Sequence, residues 1–210
     1  MKRILFQGDS ITDCGRDREN FYGLGCGYPN QLAERIGFLY PAEFEVVNRG
    51  ISGNRVTDLL ARWKCDCLNL KPDILSIMIG VNDVWHDFIS EVPNGVNTPL
   101  YEKIYTILLE ETLRVLPDVK IVLLEPYVLH GTATDELWDT FSSAVAEKRE
   151  VVYKLAEKFN LPVVPLQKKL DEAYQNAPAG YWSQDGVHPT PAGHALIADA
   201  WLETAQALLK

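Results

Sequence analysis

The sequence predicts an α/β protein, a three-layer α/β/α sandwich around a five-stranded parallel sheet. Three observations lead there. Short apolar runs alternate along the chain with longer segments whose apolar residues recur at helical spacing. One run, PDILSIMIG at 72–80, is almost continuously apolar, as a strand covered on both faces requires. No repeat, low-complexity tract or Gly/Ser/Pro linker interrupts residues 1–210, so one domain is expected.

Residues 3–8 (RILFQG) form a first strand that ends on a glycine. Residues 29–39 open with a proline and set Leu32, Ile36 and Leu39 on one helical face. A second strand covers 44–48. The helix over 55–68 aligns Val56, Leu59, Leu60, Trp63 and Cys67. The apolar run at 72–80 is the third strand. A helix over 99–116 stops at Pro117, and 119–125 is the fourth strand. The segment 135–159 carries Leu137, Phe141, Val145, Val152, Leu155 and Phe159 at helical spacing. The short strand 161–165 contains two prolines, which cannot donate to a ladder, and this puts it at a sheet edge. A helix over 166–176 follows. The last helix starts with Thr190 as N-cap and Pro191 at its first position, and it buries Leu196, Ile197, Ala200, Trp201 and Leu208.

Strands alternating with helices imply right-handed crossovers and the flavodoxin-like order 2-1-3-4-5. A ligand then binds beyond the carboxyl ends of the strands, near strands 1 and 3. Composition narrows what that ligand can be. With 20 Lys+Arg against 29 Asp+Glu the net charge is -9, which argues against nucleic acid and anionic membranes, since both need a basic field. The start MKRILFQGDS lacks the apolar stretch of a signal peptide, and no run reaches 18 apolar residues, so a cytoplasmic protein is expected. The cysteines Cys14, Cys26, Cys65 and Cys67 are then expected to be free thiols. Cys65-Asp66-Cys67 is too tight for a zinc knuckle; it reads as two helix positions, Cys67 packed and Cys65 nearer solvent. No metal or cofactor is called for.

The loops after strands 1, 2 and 3 hold Gly8-Asp9-Ser10-Ile11-Thr12-Asp13, Asn48-Arg49-Gly50-Ile51-Ser52-Gly53-Asn54 and Gly80-Val81-Asn82-Asp83. Before the last helix lies Asp185-Gly186-Val187-His188-Pro189. Acyl transfer needs a hydroxyl with an imidazole to take its proton, a carboxylate to orient the imidazole, and donors for the oxyanion. Ser10 can be the nucleophile, His188 the base and Asp185 its partner. The N–H groups of Ser10 and Gly53 and the amide of Asn82 can form the oxyanion hole. Each residue also has a plain reading. Ser10 can cap a turn, Gly53 can be a turn glycine, and Asn82-Asp83 can be an Asx turn ending strand 3. His86, His130 and His194 compete with His188, but His194 falls in the first turn of the last helix, His130 sits in a loop with no nearby motif, and His86 has no carboxylate placed as clearly as Asp185 is for His188. Asp9 and Asp83 read as structural. Because strand 5 lies at the far edge, the loop 177–189 must return across the top of the sheet to bring His188 to Ser10.

GDSIT around Ser10, GISGN around Gly53, GVND around Asn82 and DGVHP at 185–189 resemble the four ordered blocks of the GDSL-type, or SGNH, hydrolase superfamily, and they span nearly the whole chain. The longer segments GDSITDCGR, VVNRGISGNRVTDLLARW and IMIGVNDVW resemble the cytoplasmic acetylxylan esterases of that superfamily. The resemblance implies the SGNH hydrolase fold and a Ser-His-Asp esterase without a cofactor. It implies a small acetylated sugar as substrate, here xylo-oligosaccharides, and a homo-oligomer. Trp85, Tyr181 and Trp182 flank the blocks and are candidates to stack on the sugar, with Asp13 and Arg55 as polar candidates. The stretches 86–100 and 127–140 are where substrate identity can vary. The competing readings are a general short-chain esterase, thioesterase or lysophospholipase of the same superfamily, and a non-catalytic binding module.

Overall fold

The computed structural model describes residues 1–88 and 92–210. Its strands are β1 (Lys2–Gly8), β2 (Phe44–Asn48), β3 (Ile74–Met78), β4 (Lys120–Leu124) and β5 (Val163–Val164). They form one parallel sheet in the order β2-β1-β3-β4-β5. The register sets Ile4 beside Val46 on one side and Ile74 on the other, and Ile74 beside Lys120. The expected topology is the one observed.

Strand alternation sorts the core into two layers, since successive side chains point to opposite faces. Ile4, Phe6, Ile74, Met78, Val122 and Leu124 face one layer; Leu5, Leu75, Ile77, Ile121 and Leu123 face the other. The first layer is covered by α2 (Tyr28–Leu39) through Leu32 and Ile36 and by α9 (Pro191–Ala205) through Ile197 and Trp201. The second is covered by α3 (Val56–Asp66), α5 (Thr98–Val115) and α6 (Trp138–Phe159). Full burial of each such side chain stabilises the fold by about 1.5–3 kcal/mol. Ser76 is the one polar residue on the inner face of β3, and its Oγ accepts the Nε1–H of Trp201 at 3.0 Å. Three residues expected on apolar stripes, Leu39, Leu60 and Leu137, are instead exposed.

Element ends shift where a local constraint overrides the apolar pattern. The expected strand 72–80 is paired only over Ile74–Met78, because Gly80 takes φ +138 and turns the chain out of the sheet. The expected strand 161–165 pairs only at Val163–Val164, between prolines that cannot donate. The helix 55–68 ends at Asp66 and passes into a 3₁₀ turn, Leu68–Leu70. The helix expected from 135 begins as a 3₁₀ turn, Asp135–Leu137.

Three helices were not expected, and all adjoin the crevice. They are α1 (Ser10–Asp13), α4 (Val81–Phe88) and α8 (Ala179–Trp182). The pair Asn82-Asp83, for which an Asx turn is one reading, lies instead in α4, whose helical signal is the spacing of Val81, Val84, Trp85 and Phe88. The remaining helix, α7 (Leu166–Ala173), is shorter than the expected 166–176. Among the described residues no helix is long and apolar enough to cross a membrane. Positions 89–91 of the variable stretch 86–100 lie outside the described residues.

Candidate active site

The site begins where β1 stops. A Cβ at Gly8 would lie 2.5 Å from Met78 O and 2.3 Å from Thr12 Oγ1, so only glycine lets the chain pass that close to β3. Asp9 then caps α1, its Oδ1 accepting the Ile11 N–H at 3.0 Å. Ser10 is the first residue of this one-turn helix. Cys14, in the left-handed conformation at φ 37, closes the turn by donating its N–H to Ser10 O at 2.9 Å. Asp9 is 1% exposed, and burial pushes its pKa up to about 7.

The imidazole arrives on a loop that is folded before it reaches the serine. Ser183 and Pro189 form an isolated bridge that closes the loop. Inside it, Asp185 Oδ1 accepts the N–H groups of Val187 at 2.9 Å and His188 at 2.7 Å. Gly186 takes φ +91, and a Cβ there would meet Leu129 O at 2.4 Å, so the turn requires glycine. Leu129 N–H donates to Gly186 O and Tyr127 O–H to Val187 O, each at 2.8 Å, which pins the loop to the segment after β4.

Two short hydrogen bonds complete the relay. His188 Nδ1 lies 2.6 Å from Asp185 Oδ2, and His188 Nε2 lies 2.8 Å from Ser10 Oγ. Burial works against ionisation of Asp185, but the His188 ring and the N–H groups of Val187 and His188 outweigh it and hold the carboxyl well below the usual range. The same Asp185 hydrogen bond raises the pKa of His188, against the opposing effect of burial. An ionised Asp185 can only accept, so Nδ1 carries the proton and Nε2 is left to receive the Ser10 hydroxyl proton.

The loop after β2 lies beside the serine helix and is tied to it. Ile51 N–H donates to Gly8 O at 3.1 Å, and Asp13 Oδ2 accepts from Ser52 N–H at 2.9 Å and Ser52 Oγ at 3.1 Å. Gly53 takes φ +81 with open space where a Cβ would be. Among the described residues neither the Ser10 nor the Gly53 N–H has an acceptor. Asn82, at the start of α4, gives one amide hydrogen to Asn54 O at 3.1 Å, and its amide has a second hydrogen that it can donate. Asp83 beside it accepts the Val56 N–H at 3.1 Å and so fastens α4 to α3, the structural part expected of it.

The residues expected to touch substrate divide. Asp13 is a correction. It is 3% exposed and its carboxylate is occupied by Arg18 and Ser52, which puts it beneath the Gly53 loop rather than on its surface. Arg55 pairs with Asp58 at 2.9 Å and donates to Asn94 O at 2.5 Å. Trp85 leans on His188, ring centroids 5.5 Å apart, and its Nε1–H is buried without an acceptor among the described residues. Trp182 donates to Ala177 O at 3.2 Å and packs at the margin of the core, while Tyr181 is exposed and meets it edge-on. Sequence reasoning missed Arg62, whose guanidinium donates to Asn54 Oδ1 at 2.8 Å, to Gln7 Oε1 at 2.9 Å and to Gly8 O at 3.3 Å, bridging the serine and glycine loops. Its place on the polar side of an amphipathic helix carried no signal that it points inward.

Two of the competing histidines, His130 and His194, have other partners. His130 stacks on Trp138 at 3.7 Å and pairs with Asp135, with no serine hydroxyl bonded to it. His194 is buried, and burial pushes its pKa down to about 4, so it is neutral. Among the described residues no group of three or more His, Cys, Asp or Glu side chains is placed to hold a metal. A 590 Å³ groove lies between α3 and α5, lined by Leu60, Trp63 and Ile107, and a 420 Å³ cleft is lined by Glu125, Arg149 and Tyr153. Neither includes Ser10 or His188, whose side chain is 46% exposed, so the relay sits at an open surface.

Comparison with known proteins points the same way. The pattern of the GDSL-like Lipase/Acylhydrolase family matches residues 6–196. The chain is 38% identical over 212 residues to the acetylxylan esterase of Geobacillus stearothermophilus, covering 96% of this chain and 92% of that one. The crystal structure of an acetylxylan esterase from that organism superposes with a TM-score of 0.85 at 36% identity, covering 96% of this chain and 93% of the other. A protein from Parabacteroides merdae, named for its likeness to GDSL-like lipases, superposes with a TM-score of 0.91 at 43% identity, covering 99% and 96%.

Proposed function

The chain belongs to the GDSL-like lipase/acylhydrolase family and is a carboxylic ester hydrolase, and we propose that it removes O-acetyl groups from acetylated xylo-oligosaccharides through an acetyl-enzyme intermediate. The observation that carries this reading is the continuous relay from Asp185 through His188 to Ser10, with bonds of 2.6 and 2.8 Å.

Ser10 Oγ attacks the acetyl carbonyl carbon while His188 Nε2 takes the hydroxyl proton. The carbonyl oxygen becomes an oxyanion, for which the N–H groups of Ser10 and Gly53 and the amide of Asn82 are the donors. Asp185 stabilises the imidazolium that forms and holds the ring in the tautomer the reaction needs. The intermediate collapses, and His188 gives its proton to the departing sugar oxygen. Water then attacks acetyl-Ser10, with His188 again as base, and acetate leaves. The openness of the relay supports a bulky alcohol portion such as an oligosaccharide, and Trp85 beside His188 offers an aromatic surface for it. The likeness to acetylxylan esterases supports the sugar. We extend the proposal to a cytoplasmic homo-oligomer, in which an enzyme meets short, imported oligosaccharides rather than the polymer.

The test is acetate release from acetylated xylo-oligosaccharides, with simple acetyl esters and octanoyl esters run beside them. Release from the sugars, preference for acetyl over octanoyl, and loss of both turnover and fluorophosphonate labelling in Ser10→Ala are expected. Hydrolysis of simple esters without release from any acetylated sugar would overturn the carbohydrate assignment, and wild-type turnover in Ser10→Ala would overturn the mechanism.

A further inference from the structure

Two cysteines stand at the ends of the loop that follows the nucleophile's helix. Cys14 is the cap that closes α1, and Cys26 lies just before Gly27, the N-cap of α2. The Cys26 N–H donates to Cys14 O at 3.0 Å, so the two backbones run side by side. Their sulfurs face each other at 3.4 Å. A disulfide bond of about 2.05 Å asks for an approach of about 1.4 Å from that contact.

A third side chain meets the pair. His194 Nδ1 accepts the backbone N–H of Tyr28 at 3.1 Å, so the ring proton sits on Nε2, which lies 3.3 Å from Cys14 Sγ. Nε2–H therefore points at the Cys14 sulfur. The two thiols differ in access: Cys26 is exposed and Cys14 half-buried. The other two cysteines make an internal control. Cys65 donates to Arg62 O at the exposed end of α3, and Cys67 is wholly buried in the core.

We propose that Cys14 and Cys26 form a reversible thiol–disulfide couple, a covalent modification site for small-molecule disulfides, whose closure slows the neighbouring Ser10. The exposed Cys26 thiolate attacks one sulfur of a disulfide RS–SR. That S–S bond breaks and RS⁻ leaves, with the Cys26 proton ending on the released thiol. Cys14 then gives up its proton beside His194 and attacks Cys26 Sγ, forming the Cys14–Cys26 bond and expelling the second RS⁻, which is protonated in turn. The protein dithiol is oxidised, the small disulfide is reduced to two thiols, and atoms and electrons balance. Burial pushes the Cys14 thiol up to about 12, which makes Cys26 the entry point and Cys14 the resolving thiol. The link to Ser10 is direct. Cys14 N–H holds Ser10 O at 2.9 Å in a helix of four residues, so drawing Cys14 toward Cys26 strains the turn that aims the hydroxyl at His188. Only this kinetic consequence rests on the function proposed above.

The experiment treats the reduced full-length protein with oxidised glutathione and reads intact mass, a non-reducing peptide map and turnover of p-nitrophenyl acetate. Expected are a loss of two hydrogens with no glutathione retained on the pair, a linked Cys14–Cys26 peptide, and a turnover drop of at least roughly threefold that dithiothreitol reverses. Cys26→Ser is expected to match the reduced wild type and to keep its turnover in oxidised glutathione. Glutathione held on Cys26 while Cys14 stays alkylatable overturns the couple, and a complete linkage with unchanged turnover overturns its effect on Ser10. A reduced protein with no turnover at all would count against the esterase reading instead, while the mass readout still decides the couple.

Discussion

His188 Nε2 stands 2.8 Å from Ser10 Oγ although 178 residues separate them. Two different kinds of structure produce that contact. Ser10 is placed by the end of β1, a strand with neighbours on both sides. His188 is placed by a self-contained turn in which Asp185, three residues back, binds both its backbone and its ring. The turn delivers a pre-oriented His–Asp unit, and the packing of Tyr127 and Leu129 against Val187 and Gly186 decides where it lands. Orientation set before substrate arrives is what lowers the entropic part of the barrier.

As the proposed base, His188 works only when neutral, and Asp185 favours its charged form. His188 therefore has a pKa above the ordinary imidazole value. The acid limb of the kcat/KM profile on p-nitrophenyl acetate is expected above about pH 6.5. In Asp185→Asn the limb should move to lower pH while the plateau falls about 10²–10⁴-fold, because the ring loses its orienting acceptor. A limb that stays in place would show that Asp185 does not set the titration.

Asn82 gives one amide hydrogen to Asn54 O, and the proposed mechanism assigns the other to the oxyanion. Asn82→Ala should lower kcat by about 10²–10³ and leave KM nearly unchanged, since the oxyanion exists only in the transition state. Steady-state kinetics on an acetyl ester checks this. A rise in KM at constant kcat would reassign Asn82 to ground-state binding.

Gly50 and Gly53 lie in one loop but constrain it differently. A Cβ at Gly50 would sit 2.4 Å from the Asp13 backbone nitrogen, whereas one at Gly53 meets nothing within 4 Å and suffers only from φ +81. Gly50→Ala is expected to cost stability by about 1–3 kcal/mol, as overpacking does. Gly53→Ala should lose about 1 kcal/mol yet drop kcat more than its stability loss implies, through its shifted N–H. Thermal melts beside kcat separate the two, and equal behaviour would refute the distinction.

Burial pushes the Asp83 pKa up to about 7, and the residue is 1% exposed. A carboxyl whose folded pKa is raised binds its proton more tightly when folded. Its contribution is complete below the unfolded value near 3.9 and is lost as pH rises toward 7. Asp83→Asn keeps an oxygen for the Val56 N–H and has no proton to lose. Between pH 5 and pH 7 the wild type should lose stability relative to this variant by about 1 kcal/mol per pH unit. Denaturant melts at several pH values measure it, and parallel curves would sink it.

Much of this protein is legible in one dimension. Hydrophobic periodicity is local, so it locates β1, β3, α3 and α9 without any knowledge of their neighbours. The prolines flanking β5 mark it as an edge strand because a missing N–H is a property of the residue itself. The blocks around Ser10, Gly53, Asn82 and His188 are legible for a similar reason, each being a short turn with its own demands on residue type. Where two local signals competed, as in α4, the polar pair Asn82-Asp83 hid a helical spacing that was present.

Tertiary structure alone decides who occupies whom. Asp13 looked free to bind substrate, yet Arg18 and Ser52 take its carboxylate, because the β2 loop packs over α1. Arg62 gave no sign of pointing inward until Asn54, Gln7 and Gly8 were in place around it. Cys14 and Cys26 read in sequence as two free thiols among four, and only the pairing of their backbones makes them face each other. The sequence by itself determined the strands, the longer helices and the sheet order, and it marked the loops that carry polar residue blocks, since those follow from spacing and from single residues. The structure decided which side chains meet and which remain free, because that depends on distances between segments that no local spacing encodes.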